Sequence, residues 1–122
     1  MTTYVPIPLV TFDAVIANGA SLSGVVDLNG HTLVGILMPG TWTTAVLTFQ
    51  AGEPVAASYT LANVYDQFGT EKTVQAAASR FIALDPSEWA AVRWLKVRSG
   101  TAGSAVNQGG ARTVVLVARP LG

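Results

Sequence analysis

The stretch that decides the fold spans residues 21–50 and reads SLSGVVDLNGHTLVGILMPGTWTTAVLTFQ. Short runs rich in Val, Leu, Ile and Thr are separated there by two pairs that favour turns, Asn29-Gly30 and Pro39-Gly40. The same punctuation continues along the chain, at Asn18-Gly19, Phe68-Gly69, Ser99-Gly100 and Gly109-Gly110. Many short strands at this spacing are typical of an all-β sandwich or barrel, and we predict a single-domain antiparallel β-sandwich.

The predicted strands are the runs between the turns. They cover residues 12–17, 22–28, 31–38, 44–50, 59–66, 72–76, 79–84, 92–98 and 112–119. Residues 1–10 are expected to form an extended N-terminal arm, because Pro6 and Pro8 favour open backbone and cannot occupy a central strand. The β-sandwich domain then spans residues 11–122.

One short helical turn is predicted near residues 86–91. Asp85 stands where an N-cap residue accepts from the free amides of the first turn, and Pro86 suits the first helical position. Glu88 can return a hydrogen bond to the cap. The helix must be short, because a strand-like run follows at once.

Two predicted strands are apolar on both faces, at residues 32–38 and 113–118. A strand that is buried on both sides of a two-layer sandwich needs a second cover. The arm, the Gly/Ser/Ala-rich loop at residues 99–111 or another subunit could supply that cover, and the sequence leaves these alternatives open.

The strand at residues 93–98 alternates instead. Leu95 and Val97 share one face, which predicts that this face is buried in the core. The opposite face carries Trp94, Lys96 and Arg98. We expect that second face to contact water or a partner.

The composition limits the classes of partner. Of 122 residues only 11% are charged, against about 25% in a typical soluble domain, and seven basic side chains balance seven acidic ones. We expect no nucleic-acid partner, because nucleic-acid binding needs an excess of Lys and Arg. No apolar run approaches the about 20 residues of a membrane helix, so we expect no membrane partner. A weakly charged, neutral chain favours association with other proteins.

Residues suited to catalysis or metal binding form no recognisable pattern. There is no cysteine, which excludes disulfides, thiolate catalysis and Cys-ligated zinc. His31, the single histidine, has no serine in a G-x-S-x-G motif to activate. The spacing of the carboxylates selects no catalytic pair, and Asp66 and Glu71 offer calcium too few oxygens. The sequence therefore predicts no enzyme, no catalytic or metal-binding residue and no cofactor.

Two further features indicate surfaces that could bind. All Lys and Arg residues lie after residue 71, where they could form a basic strip facing an acidic partner or simply solvent-facing strand ends. Aromatic residues that could stack on a sugar are Trp42, Tyr59, Tyr65, Trp89 and Trp94. Core and interface packing explains these aromatic residues equally well.

Five stretches carry a resemblance to a known family. They are SLSGVVDLNGHTLVGILMPGTWTTAVLTFQ (21–50), YDQFGTE (65–71), RFIALDPSEW (80–89), RWLKVRSGTAGSAVNQ (93–108) and RTVVLVARP (112–120). These stretches resemble small bacteriophage and prophage proteins found among virion structural genes, and W-T-x-A-x-L-T-F-Q and I-A-L-D-P are the most specific parts. Segment 51–64 departs from the polar Asp-Gly hairpin expected there.

The resemblance implies a virion structural protein that decorates or cements the capsid, and it brings no active-site residues with it. The strand arrangement also looks like a galactose-binding-type jelly roll, which is an analogy of fold alone. The implied partners are the major capsid protein and copies of the chain itself, as a dimer or trimer. The implied location is the phage head, after synthesis in the bacterial cytoplasm.

The residues expected to bind these partners lie in the arm and in the Gly-rich loop. They are Tyr4, Val5, Pro6, Ile7, Pro8, Leu9, Val106, Asn107 and Gln108. The secondary candidate face is the row Trp94, Lys96 and Arg98. The alternative function is a carbohydrate-binding head fibre or tail appendage, whose partner would be a glycan.

Overall fold

The computed structural model describes residues 8–52 and 60–121, and it places eight strands and one short 3₁₀ helix in them. The strands are β1 (Val10–Ile16), β2 (Val26–Asp27), β3 (His31–Leu37), β4 (Leu47–Gly52), β5 (Leu61–Asn63), β6 (Phe81–Ala83), β7 (Trp94–Ser99) and β8 (Arg112–Pro120). The 3₁₀ helix spans Pro86–Trp89, within the predicted range.

The strands pair as one long antiparallel ribbon, β4 with β5, β3 with β6, β2 with β7 and β1 with β8. The ribbon is rolled up so that β8 also pairs with β3, and β7 also pairs with β4. Two four-stranded sheets result: sheet 1 has the order β1-β8-β3-β6, and sheet 2 has the order β2-β7-β4-β5. This rolled ribbon is a jelly roll, and the predicted all-β antiparallel sandwich is confirmed.

The core lies between the two sheets. Sheet 1 contributes Ala14, Leu33, Ile36, Val114 and Leu116, and sheet 2 contributes Leu47, Phe49, Leu95 and Val97, all fully buried. Trp89 of the 3₁₀ helix joins this cluster and meets the ring of Phe49 edge-on, with the ring centroids 4.7 Å apart. Each buried Leu, Val or Phe stabilises the fold by about 1.5–3 kcal/mol.

A bulge in β3 explains part of its two-sided apolar pattern. The pairing of β3 with β8 shifts register between Leu33 and Gly35, which leaves Val34 as the extra residue. Leu33 and Ile36 would face opposite sides of a regular strand, but the bulge turns both into the core.

The structure corrects two predicted strands. The segment 72–76 is not a strand, because Val74 makes only an isolated bridge to Leu47. The segment 22–28 is a strand only at Val26–Asp27. Earlier in that segment the hydroxyl of Ser23 accepts from the backbone N–H of Val97 and so takes the place of a ladder carbonyl.

The cap of the 3₁₀ helix is as predicted on one side and different on the other. The carboxylate of Asp85 accepts from the backbone N–H and the hydroxyl of Ser87, and these two bonds lower the pKa of Asp85. Glu88 does not return a bond to the cap. Its carboxylate accepts instead from Lys72, at 2.5 Å.

Candidate functional site

The outer side of sheet 1, turned away from sheet 2, carries apolar side chains that reach the surface. The register places Leu37 beside Val115 of β8 and Phe81 of β6, with Val15 and Val117 in the neighbouring rows. Val15, Leu37 and Phe81 are 50%, 43% and 60% exposed. We call these three exposed residues, together with the half-buried Val115 and the buried Val117, the apolar face.

The ring of Phe81 is held on this face by a close approach to the backbone. A Cβ atom added to Gly35 would lie 2.8 Å from Cζ of Phe81, so the ring occupies the space that a side chain would fill. Glycine at position 35 thus lets the ring of Phe81 lie close to the backbone of β3, and a larger residue there would require the ring to move.

Two opposite charges border the apolar face. Asp13 of β1 pairs with Val115, and Arg119 of β8 lies two rows away in the same outward orientation. Neither side chain has a hydrogen bond or ion pair with the residues that the structure describes. Both charges are thus available to a partner.

The predicted arm residues are only partly within the structure. Tyr4, Val5, Pro6 and Ile7 lie outside the described residues. Pro8 and Leu9 are exposed, and they lead directly into β1, which is an edge strand of sheet 1. The chain therefore enters the fold beside the apolar face.

The predicted loop residues have unequal environments. Asn107 is exposed and Val106 is half-buried, whereas Gln108 is only 1% exposed. The side chain of Gln108 accepts from the backbone N–H of Thr43 and donates to its carbonyl, and it also donates to the hydroxyl of Ser99. Gln108 therefore positions the loop from inside, and Val106 and Asn107 are the members of this set that a partner can reach.

The secondary candidate face is divided in the same way. Trp94 and Lys96 are half-buried, but Arg98 is only 6% exposed. The guanidinium of Arg98 donates to Asn63 Oδ1 and forms a salt bridge of 3.3 Å with Glu71. Because Arg98 is satisfied within the subunit, Trp94 and Lys96 form the accessible part of this face.

Glu71 also ties down the Gly-rich loop. Its carboxylate accepts from the backbone N–H of Ala102 at 3.0 Å, and the carbonyl of Gly100 accepts from the hydroxyl of Thr48 at 2.6 Å. The loop therefore docks on the sheet 2 side of its own subunit. It is not the cover for the outer side of sheet 1.

A recess of about 540 Å³ is the second candidate site. It lies between the turn at residues 64–72 and the 3₁₀ helix, and it is lined by Val64, Tyr65, Asp66, Gln67, Phe68, Lys72, Ser87, Glu88 and Trp89. The structure thus brings together Tyr65 and Trp89, two of the predicted sugar-stacking residues, and adds Phe68, which the sequence analysis missed. Trp42 and Trp94 lie elsewhere, and Tyr59 lies outside the described residues.

Candidate metal ligands are not brought together in the described part of the chain. Nδ1 of His31 lies 2.8 Å from the carbonyl oxygen of Leu28, so the imidazole forms a hydrogen bond within the turn that precedes β3. Across residues 8–52 and 60–121, no three His, Cys, Asp or Glu side chains come close enough to hold a metal ion. Within the same ranges no helix has the length and apolar character needed to cross a membrane.

Comparisons of the chain with protein-family models, with curated proteins and with solved structures give no match.

Proposed function

We propose that the protein is a non-enzymatic structural component of a bacteriophage virion, which decorates or cements the capsid through protein–protein contacts. The observation that carries this proposal is the apolar face, where Leu37 and Phe81 are exposed side by side and Val15 is exposed in the neighbouring row of the same sheet. Contiguous exposed apolar surface of this kind marks sites of protein association. The jelly roll is itself common among capsid proteins and lectins, which is support by analogy of fold.

A second copy of the chain is the partner that fits the apolar face. The face carries one negative and one positive group, Asp13 and Arg119, at separate positions. In a twofold interface the same patch meets itself, so each Asp13 can pair with the Arg119 of the other copy. The apolar side chains between the two charges would be buried by the same contact.

The size of this contact predicts the strength of the association. Four strands at about 4.8 Å spacing and about six residues at about 3.4 Å give a face of roughly 400 Å² per copy. Two such faces bury roughly 800 Å², about half of a standard interface. The contact is therefore weak for an isolated pair, and it becomes strong when it is repeated over a shell and combined with contacts to the capsid.

The major capsid protein is the proposed partner of the arm and of the exposed loop residues Val106 and Asn107. Residues before β1 leave the fold beside the apolar face, where an extended segment can reach a neighbouring subunit. Pro8, just before β1, has no N–H group to donate to a neighbouring strand.

The test is attachment to purified virions of the phage that encodes the chain. We expect mass spectrometry to find the protein in the particles. A variant lacking residues 1–9, which keeps all of β1, should lose most of its occupancy on stripped particles, and Phe81→Ala should lower occupancy several-fold. Phe68→Ala is the matched control, because Phe68 is also an exposed aromatic residue but lies in the recess. Absence from virions, or full occupancy of both altered proteins, would overturn the proposal.

A further inference from the structure

The recess is a separate site, since none of its lining residues belongs to the apolar face. Its volume of about 540 Å³ falls within the about 300–1,000 Å³ of typical small-molecule sites. We propose that it binds a short, uncharged saccharide, which would be a second binding activity beside the adhesion proposed above.

Exposed aromatic rings form one wall of the recess. Phe68 is 84% exposed and Tyr65 is 52% exposed. The faces of such rings carry partial negative charge, and the C–H bonds on the apolar side of a sugar ring carry partial positive charge. Stacking of a sugar on these rings would cover apolar surface without requiring a charged ligand.

The turn that presents Phe68 is rigid. Oδ1 of Asp66 accepts from the backbone N–H groups of Phe68 and Thr70, at 2.8 and 3.0 Å, and these bonds lower the pKa of Asp66. Gly69 supplies the positive φ of 87° that closes the turn. The backbone at Phe68 is therefore held in place, which reduces the entropy lost by the turn when a ligand stacks on the ring.

Other residues that line the recess offer polar groups for hydroxyls. Lys72 and Glu88 form an ion pair, and the ammonium group of Lys72 has two further N–H groups that can donate to a ligand. The hydroxyl of Ser87 donates to Asp85 and can still accept. These groups provide both donors and acceptors, and a sugar hydroxyl group can act as either.

A buried donor in the wall lacks an acceptor. Trp89 is almost fully buried, and its Nε1–H has no hydrogen-bond acceptor among the residues that the structure describes. Leaving such a group unsatisfied costs about 1–3 kcal/mol. Trp89 lines the recess, so a ligand oxygen or a water molecule that reached this N–H from the recess would supply the missing acceptor.

The charge of the recess favours this class of ligand over others. Asp66 and Glu88 outnumber Lys72, so the net charge disfavours phosphates and other anions. The ion pair and the exposed carboxylate disfavour a purely apolar ligand, because both would be desolvated without compensation. A neutral ligand with an apolar face and hydroxyl groups can stack on the aromatic rings and form hydrogen bonds with the polar residues.

The experiment is a glycan array probed with labelled protein at high concentration, followed by calorimetric titration of the best oligosaccharide. The array should carry neutral and acidic glycans from bacterial and animal surfaces. We expect the wild-type protein to bind a defined set of neutral glycans. Phe68→Ala and Tyr65→Ala should each weaken binding by about tenfold, which corresponds to the loss of one stacked ring.

Phe81→Ala is the matched control, and its affinity should stay within about twofold of wild type because Phe81 lies on the apolar face. Thermal melts establish that all variants are folded, which their surface positions favour. Binding to no glycan, binding only to acidic glycans, or equal binding by Phe68→Ala would overturn the proposal. Because Phe68 and Phe81 separate the two surfaces, failure here leaves the virion test independent.

Discussion

The two sheets of the sandwich have similar buried sides, but their outer sides differ in kind. Sheet 1 turns apolar side chains outward, with Asp13 and Arg119 as the charged residues at outward positions of its paired strands. Sheet 2 turns outward a polar network in which Arg98 is bonded to Glu71 and Asn63. The charged centre of the outer side of sheet 2 is thus satisfied within the subunit, whereas the exposed groups of sheet 1 are not.

This difference indicates which surface is available for association with another protein. Groups that already have partners gain little from a new contact, because the old hydrogen bonds must first be broken. Exposed apolar groups gain from any contact that removes them from water. We therefore expect the polar network to stabilise the subunit and the apolar face to bind other molecules.

The largest effect is expected at the centre of the polar network. Arg98→Met removes the counter-charge of the half-buried Glu71, and we expect the free energy of unfolding to fall by about 3 kcal/mol. Urea denaturation measures the change. Lys96→Met, on the same strand and face, is the control and should change the value by less than about 0.5 kcal/mol. Equal effects of the two substitutions would contradict the division that we draw.

A smaller loss is expected where the Gly-rich loop meets sheet 2. Gly100 has a φ of +88°, and a Cβ atom there would lie 2.5 Å from the carbonyl oxygen of Ser104. We expect Gly100→Ala to lower the free energy of unfolding by about 2 kcal/mol. Gly103→Ala, in the same loop but with open space around its Cβ position, should be close to neutral. A neutral Gly100→Ala would mean that the loop is not held as described.

The apolar face should contribute little to the stability of the subunit itself. We expect Leu37→Thr to change the free energy of unfolding by less than about 1 kcal/mol, since the residue is 43% exposed and Thr suits a strand. Sedimentation at high protein concentration should show weaker self-association. Val97→Thr is the contrast, because a hydroxyl in the core should cost about 1–3 kcal/mol. Unchanged self-association in Leu37→Thr would argue against a second copy on this face.

The smallest effect is a dependence on pH at the edge of sheet 2. The hydrogen bond from Arg93 lowers the pKa of Asp27 below 3.8, despite the opposing effect of burial. Because the folded-state pKa is depressed, this stabilisation is present above the unfolded-state value and is lost as pH falls through the folded-state pKa. We expect it to be below about 1 kcal/mol at this partly exposed site.

Urea denaturation between pH 6 and pH 2 measures this dependence. The midpoint should fall below about pH 4 in the wild type, and it should fall less in Asp27→Asn. Asp66 and Asp85 also have lowered pKa values from hydrogen bonds to their carboxylates, so part of the dependence should remain in that variant. An identical acid profile in Asp27→Asn would show that the ion pair does not contribute.

Local sequence patterns predicted those structural elements that depend on interactions between residues close in sequence. The cap Asp85 and the start of the 3₁₀ helix at Pro86 were predictable, because an N-cap side chain acts within two or three residues. The buried face of β7 followed from the alternation of Leu95 and Val97. The missing strand at 72–76 was not predictable in this way, because a strand needs a neighbour that pairs over several residues.

The sites depended on contacts that no local pattern contains. Arg98 and Glu71 are 27 positions apart, and nothing near either residue indicates that they pair. Trp89 was recognised as aromatic, but its place in a recess depends on the turn around Phe68 folding against the 3₁₀ helix. In each case, the partner comes from a segment distant in sequence.

The amino-acid sequence by itself determined that this chain forms short strands with apolar faces and few charges, because alternation and turn residues act over a few positions. Only the tertiary structure decided which outer side remains apolar. Which outer side is apolar depends on how the ribbon rolls up. The pairing of β8 with β3 places the two strands that are apolar on both faces in sheet 1, and the pairing of β7 with β4 places the alternating strand in sheet 2. Long-range pairing thus separated the apolar face from the internally bonded side of sheet 2, and the same pairing surrounds the recess.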